Sequence, residues 1–254
     1  MNPAIPAATL VIFRDMPGSP SEILMVERSR AMAFAGGALV FPGGRVDPGD
    51  RALAATLADT DADADPDDMA ARIAAIRETL EEAGIAIGLD PLPSPDVLAA
   101  IRAGLHRGEP FGALLAAAGI ALRPEQLVPF ARWLPSHHVA RIFDTRFYLA
   151  QLPDDAGPAS VDRTENVRLI WTGAADVLAQ AAAGMATLIF PTRRNLERLA
   201  QFARFEDAVA DAVAHPVRTI TPTVEERDGV EHICIPVGIG YPVVSEPLNA
   251  ADRG

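Results

Sequence analysis

The stretch RETLEEAG (Arg77–Gly84) places three glutamates, Glu78, Glu81 and Glu82, within five consecutive positions of a 254-residue chain. Drawn as a helix at about 100° per residue, the segment puts Met69, Ile73, Ile76 and Leu80 in one narrow apolar stripe. The three glutamates gather on roughly the opposite side, so the stripe is expected to pack inward and the carboxylates to share an outward face. Carboxylates at i, i+3 and i+4 repel one another, and the dipole near a helix C-terminus disfavours them further. Arg77 relieves this only in part, through an i, i+4 pair with Glu81. A solvated charged face is one reading of such a cluster. The other is a ligand set for a hard divalent cation, which takes oxygen donors and turns the repulsion into binding.

The rest of the chain must hold that helix in place. Asp65 is suited to cap its start, Pro66 to its first position and Gly84 to its end. Upstream, FPGGRVDPGD (Phe41–Asp50) reads as a strand running into a turn, where Gly43 and Gly44 permit a close backbone approach. Between the two pieces lies DTDADADPDD (Asp59–Asp68). Its alternating aspartates suggest a calcium loop, but the central glycine and closing glutamate of such a loop are missing, which leaves an exposed acidic loop.

Strands are expected at Val11–Phe13 and Ile23–Val26, joined by DMPGSPSE, and again in RIFDTRFYLAQL (Arg141–Leu152) and ENVRLIWT (Glu165–Thr172). The linker PLPSP precedes helical periodicity over Asp96–Gly119, a small helical insertion. Further helices are expected at about Ala174–Ala183 and at Arg193–Ala214, the latter capped by Thr192. Asp228-Gly229 between alternating segments signals a hairpin. The whole reads as one α/β domain over 1–254, with an acidic loop insertion at about 51–69 and the helical insertion at about 93–128.

A formal net charge of −12 and a pI near 4.8 offer no electrostatic footprint for nucleic acid or an anionic membrane. All 22 basic residues are arginine, which excludes a Schiff-base or P-loop lysine and leaves guanidinium groups to bind phosphate. No apolar run has the length of a membrane span, and MNPAIPAATLVIFRD lacks the marks of a signal peptide. The single cysteine, Cys234, precludes an internal disulfide, reads as a buried strand residue, and suits a reducing cytoplasm. His137 and His138 have no further histidine or cysteine at ligand spacing, so zinc is not expected.

GRVDPGD followed by RETLEEAGI resembles the Nudix box, G-x5-E-x7-R-E-U-x-E-E-x-G-U with U a bulky apolar residue. Gly44 stands as its opening glycine and Asp50 in the place of its first glutamate. Arg77, Glu78, Glu81, Glu82, Gly84 and Ile85 match its second half, with Thr79 in an apolar slot. The 26 residues from 51 to 76 stand where the pattern has seven, so the box is split. Split boxes occur in the Nudix branch related to peroxisomal coenzyme A diphosphatases. LMVERSRAMAFAGGALVFPGG resembles the segment preceding the box in that branch, with Arg28, Ser29, Gly37 and Phe41 in register and Ala33 where an arginine is usual. ARWLPSHHVARIFDTRFYLAQLP and WTGAADVLAQ are also similar to it.

The resemblance implies an α/β/α sandwich with a mixed sheet and hydrolysis of a diphosphate in a small anionic molecule. It implies that Glu78, Glu81 and Glu82 hold magnesium (or manganese), that Glu78 and Arg77 take part in catalysis, and that Glu165 adds a ligand or base from across the site. Arg28, Gly43, Gly44, Arg141 and Arg146 are the expected contacts for substrate. Coenzyme A or an acyl derivative is the expected substrate, with a nucleotide-linked diphosphate such as ADP-ribose or a dinucleotide as the alternative. A non-catalytic nucleotide-sensing module is the reading from another class. The oligomeric state is not encoded legibly.

Overall fold

Two strands near the N-terminus are apolar on consecutive residues, which is the pattern of strands buried on both faces. A computed structural model of the chain, describing residues 3–32, 35–58, 65–135, 142–161 and 166–248, shows why. Strand β1 (Ile5–Met16) turns through Pro17-Gly18 into β2 (Ser19–Arg28), and both run well beyond the short segments expected from sequence. Short strands β3 (Leu39–Val40) and β4 (Gly43–Arg45) follow, then helices α1 (Pro48–Ala58) and α2 (Pro66–Ala83). The next segment comprises β5 (Leu89–Asp90), α3 (Pro95–His106), α4 (Phe111–Ala118), β6 (Ala121–Leu122) and a 3-10 turn at Pro124–Gln126. After it come β7 (Val128–Trp133), β8 (Phe143–Gln151), β9 (Asn166–Thr172), α5 (Ala174–Ala182), α6 (Phe190–Leu199) and α7 (Phe205–Ala214). Strands β10 (Thr219–Ile220), β11 (Thr223–Arg227), β12 (Val230–Cys234) and β13 (Ser245–Pro247) close the described chain.

The main sheet is mixed. Its order is β10-β7-β8-β1-β2-β3, with β9 on the other side of β2 and β4 beside β1. Strands β1 and β8 run parallel, while β1–β2, β2–β9 and β7–β8 are antiparallel. Alternation along β1 sends Ala8, Leu10 and Ile12 into the core against α2 and Val11 and Phe13 into the core against α5, α6 and α7. Strand β8 repeats this with Tyr148 and Ala150 on one side and Phe147 and Leu149 on the other. This is the expected α/β/α sandwich. Strand β1 pairs with β4 through Ala7–Thr9 and with β2 further along, so the sheet parts at Pro42, whose carbonyl accepts from Leu10 N–H.

Helix α2 begins and ends as its sequence dictates. The Asp65 side chain accepts from Asp67 N–H, Pro66 holds the first position, and Gly84 takes the left-handed conformation (φ 65°) with its N–H on Leu80 O. Its surroundings differ from expectation. Ile73, Ile76 and Leu80 are buried as the stripe predicts, but so are Arg77, Thr79 and Glu82. The outward carboxylate face is therefore a correction: the last turns of α2 run under β4, and α1 and α3 pack beside them.

The insertion expected as an acidic loop over 51–69 also differs. Residues 51–58 belong to α1, where Ala54 is buried and Leu53 and Leu57 pack on the α2 side of the core; Pro66 onward is already α2, and 59–64 lie outside the described residues. An alanine-rich segment with leucines four apart at Leu53 and Leu57 has an apolar face to bury, which its acidic neighbours obscure in sequence. The helix expected over Arg193–Ala214 is two helices, α6 and α7, parted at 200–204, where Ala203 O accepts from Ser21 N–H of β2. Ile189, not Thr192, occupies the cap of α6, because Pro191 starts the helix earlier. The Asp228-Gly229 hairpin forms as expected between β11 and β12, with φ of 51° and 76°. No helix among the described residues is long and apolar enough to cross a membrane.

A contrast of two changes checks this account of the split. Replacing Asp59, Asp61 and Asp63, read from sequence as part of an exposed acidic loop, by serine should leave unfolding free energy within about 0.5 kcal/mol. Ala54→Asp, which puts an unpaired carboxylate into the core beside α2, should cost about 3 kcal/mol or more. Chemical denaturation of the three proteins measures both.

Candidate active site

Arg77 reaches back from α2 to the start of α1. Its Nε donates to Asp50 Oδ1 at 2.9 Å and its Nη2 to Asp50 Oδ2 at 2.9 Å, with Asp50 itself buried. Nη2 also donates to Arg45 O at 3.0 Å, and Nη1 to Glu78 Oε1 at 3.0 Å and Glu81 Oε2 at 3.5 Å. Burial disfavours the Arg77 charge, but the Asp50 hydrogen bonds and the attraction of Glu78 and Asp50 outweigh it and hold its pKa above the ordinary value. Asp50 is thus consumed by Arg77 and by Asp47 N–H.

The glycine turn meets the glutamates directly. Gly43 N–H donates to Glu82 Oε2 at 3.0 Å. A Cβ on Gly44 would lie 2.3 Å from Glu78 Oε1, and one on Gly43 would lie 2.3 Å from Ala8 O. Glycine is required at both places, by a carboxylate at one and by the β1 backbone at the other. Asn166, the buried first residue of β9, stands beside Glu82 and favours its charged form. It was missed in sequence, where its neighbour Glu165 drew attention as the charged residue; Glu165 itself lies outside the described residues, as does Arg141.

Burial raises the Glu78 carboxyl to about 7; Arg77 opposes the shift and Glu81 adds to it. Burial, then the Glu78 charge, raises Glu82 to about 8, against Asn166, the hydrogen bond from Gly43 and the attraction of Arg28. Glu81 is turned the other way, toward Arg77 and His106, whose Nδ1 stands 3.7 Å from Glu81 Oε1. Among the described residues no group of three or more histidine, cysteine, aspartate or glutamate side chains is gathered closely enough to hold a metal ion. The cause is visible: Arg77 draws Glu78 and Glu81, while Gly43 and Asn166 draw Glu82.

A cavity of about 410 Å³ opens over this turn. Arg28, Gly43, Gly44 and Glu78 line it, together with Arg45 and Asp47, which sequence reasoning passed over although they adjoin the glycines. Its other walls are largely apolar, including Met32, Phe41, Trp133, Phe143, Phe147 and Ile189. Arg146 requires a correction. It stands at the opposite end of α2, where Nη1 donates to Asp68 Oδ1 at 2.9 Å and Asp65 Oδ2 at 3.2 Å, and it lines a separate cavity with Arg132 and Tyr148. The register of β8 beside β1 carries it there, which a lone arginine in a strand does not announce.

A crystal structure of a NUDIX hydrolase from Alicyclobacillus acidocaldarius is 30% identical to this chain, matching 83% of it and 97% of its own length with a TM-score of 0.70. The chain belongs to the Nudix hydrolase family. Two further solved structures are more distant. An Ap4A hydrolase from C. elegans is 17% identical over 82% of this chain and 93% of its own, at a TM-score of 0.38. The NUDIX domain of NrtR from Shewanella oneidensis, complexed with ADP ribose, is 14% identical over 78% and 86%, at 0.42. No protein-family model matches the chain, and no curated protein matches it. For this Nudix hydrolase the insertion between Asp50 and Arg77 explains why a contiguous pattern is broken, while the Asp50–Arg77 pair rejoins its two halves in space.

The two glycines are separable by experiment. Gly43→Ala, which drives a Cβ into backbone, should lower stability by about 3 kcal/mol. Gly44→Ala meets only the movable end of Glu78 and should change stability by about 1 kcal/mol or less while displacing that carboxylate, so hydrolase activity is lost without unfolding. Melting curves and activity assays on both variants decide it.

Stability should also depend on pH. Glu78 and Glu82 have folded pKa values above the unfolded value, so their contribution is full below about pH 4.5 and is lost as pH rises through about 7 and 8. Metal-free protein should therefore melt at lower temperature at pH 8.5 than at pH 5.5. Glu82→Gln should flatten that decline by an amount on the order of 1–3 kcal/mol. Thermal melts in chelator across this range provide the measurement.

Proposed function

We propose that the chain is a metal-dependent diphosphatase acting on coenzyme A or an acyl derivative of it. The observation that carries the reading is one cavity with two unlike ends. The Gly43–Gly44 turn, Arg28 and Arg45 suit an anionic phosphate group, with Glu78 beside them as a cation ligand, and Met32, Trp133, Phe143, Phe147 and Ile189 suit an apolar arm. Among the described residues the apolar walls include only threonine hydroxyls, at Thr9, Thr145 and Thr192, as polar side chains. That supports a thin, weakly polar arm over a base whose edge needs several paired donors and acceptors. The aromatic walls favour one second reading, a nucleotide-linked diphosphate such as ADP-ribose or a dinucleotide, by offering Trp133 and Phe147 for stacking. A non-catalytic sensing module fits less well, because Glu78, Glu81 and Glu82 are all present and the net charge is −12.

The donor set fits a divalent cation. Glu78 and Glu82 repel one another, and their carboxyl pKa values stay raised despite Arg77, Arg28 and Gly43 N–H, so a divalent cation would stabilise both charges. Glu78, Glu81 and Glu82 would hold magnesium (or manganese). Bound there, the ion would withdraw charge from phosphate oxygens and lower the pKa of a coordinated water.

The chain's own residues supply the rest. Arg77 orients Glu78 and Glu81, the glycine turn lets the substrate's phosphates approach the backbone, and Arg28 and Arg45 bind phosphate oxygens. Arg141 is a further candidate for that grip and Glu165 for an added ligand or base. Glu78, beside the glycine turn at the cavity, is the candidate to accept a proton from the attacking water. A new bond forms from the water oxygen to one phosphorus, the bridging P–O bond breaks, and both products carry phosphate.

Incubation with magnesium and a panel of coenzyme A, acyl-coenzyme A, ADP-ribose and a dinucleoside polyphosphate, with products identified by mass, tests the substrate. Cleavage of coenzyme A or its acyl ester at the highest kcat/KM is expected. A preference for the nucleotide substrates would replace this reading with the second one. Glu82→Gln should abolish cleavage of every panel member while leaving the metal-free melting temperature equal to or above that of the wild type at pH 8, and full activity in that variant would defeat the mechanism.

A further inference from the structure

We propose that Arg102, carried on the helical insertion, is a positioning residue for the carboxylate turn of α2. The inference rests on the metal-site reading given above and assigns a role to an insertion that otherwise only adds to the core. Arg102 lies on α3, yet its guanidinium crosses to the end of α2. Nε donates to Glu81 O at 2.8 Å and Nη2 to Glu82 O at 3.0 Å, the carbonyls of two of the proposed ligand residues. The same group donates from Nη1 to Ser160 Oγ at 2.6 Å and from Nη2 to Ser160 O at 2.8 Å. Ser160 N–H in turn donates to Ala83 O at 2.9 Å. The insertion and the segment around Ser160 thus close together on the last turn of α2.

That turn carries a concentration of negative charge. The last carbonyls of a helix lack intrahelical partners and form the negative end of its dipole. Glu78, Glu81 and Glu82 add their own charges at the same place. A guanidinium, protonated at any working pH, satisfies two of those carbonyls and sets a full positive charge at the carboxylate turn without itself lining the cavity. Gly84 makes the approach feasible, since a Cβ there would lie 2.9 Å from Arg102 Nη1 and 3.0 Å from Ser160 Oγ. A hydrogen-bonding strut alone would need no charge, so arginine's charge and its reach to adjacent carbonyls are what the inference turns on.

Arg102→Met and Arg102→Lys separate positioning from packing. In metal-free protein, amide exchange should speed up at Gly84 and Ser160 in the methionine variant, a readout independent of any metal or substrate. Calorimetric titration with Mn2+ should show binding weakened about tenfold, and kcat on the best panel substrate should fall about tenfold with KM within about twofold, as for groups that orient ligands from behind. The lysine variant, which keeps the charge, should recover most of the Mn2+ affinity. Wild-type Mn2+ binding and kcat in the methionine variant, whatever its melting temperature, would overturn the proposal, as would a lysine variant no better than methionine. If Arg102→Met does not fold, Ser160→Ala removes one acceptor and keeps the charge, and should weaken Mn2+ binding by about threefold or less; no change in Gly84 exchange would then overturn it. Failure of the site reading looks different: Glu82→Gln would bind Mn2+ normally while the exchange effect at Gly84 persisted.

Discussion

The buried ion pair between Arg77 and Asp50 is the constraint on which the rest of the site depends. It joins α2 to the start of α1, and the same guanidinium grips Arg45 O in the strand that carries the glycine turn. Breaking a buried pair by removing one partner costs roughly 3–5 kcal/mol, because the survivor is left charged in a medium that cannot solvate it. Here the loss would spread further, since the remaining nitrogen of Arg77 holds Glu78 and Glu81. One side chain therefore sets both the closure of a long insertion and the direction in which two carboxylates point.

Stability and function pull against each other within one helical turn. The fold places half-buried Glu78 and buried Glu82 together at the end of a helix, where desolvation, mutual repulsion and the helix dipole all disfavour their charges. It offsets that cost locally, with Arg77 on Glu78, Gly43 N–H and Asn166 beside Glu82, and Arg102 on the helix carbonyls. The sheet makes the arrangement rigid. Strand β1 is buried on both faces and pairs with β4, β2 and β8, so the glycine turn is pinned to a strand held along both edges.

The cavity shows the same division of labour. Its polar lining comes from the glycine turn, from α2 and from Arg28 of β2, and its apolar lining from Met32 and Phe41 together with β7, β8 and the start of α6. The polar and apolar linings are consequently specified by different parts of the chain.

Much of this was legible in the residues themselves. Asp65, Pro66 and Gly84 fixed the ends of α2, because capping is local chemistry within a few residues. The spacing of Glu78, Glu81 and Glu82 marked a turn too acidic to be an ordinary surface, and the alternation of strands and helices gave the α/β class. The pairing of the two halves of the box was also readable, through their resemblance to one family pattern. What sequence could not show is where charges end. Glu82 and Arg77 look like surface residues on a helical wheel and are buried, because the wheel knows only the core stripe and not β4, α1 and α3 closing over the other side. Arg146 and Arg102 look alike in sequence, yet strand register sends one to the far end of α2 and helix packing brings the other to its carbonyls. Local periodicity determines which residues can lie together on one element. Only the tertiary structure decides which elements meet, because their contacts depend on separations of tens of residues that no local pattern records.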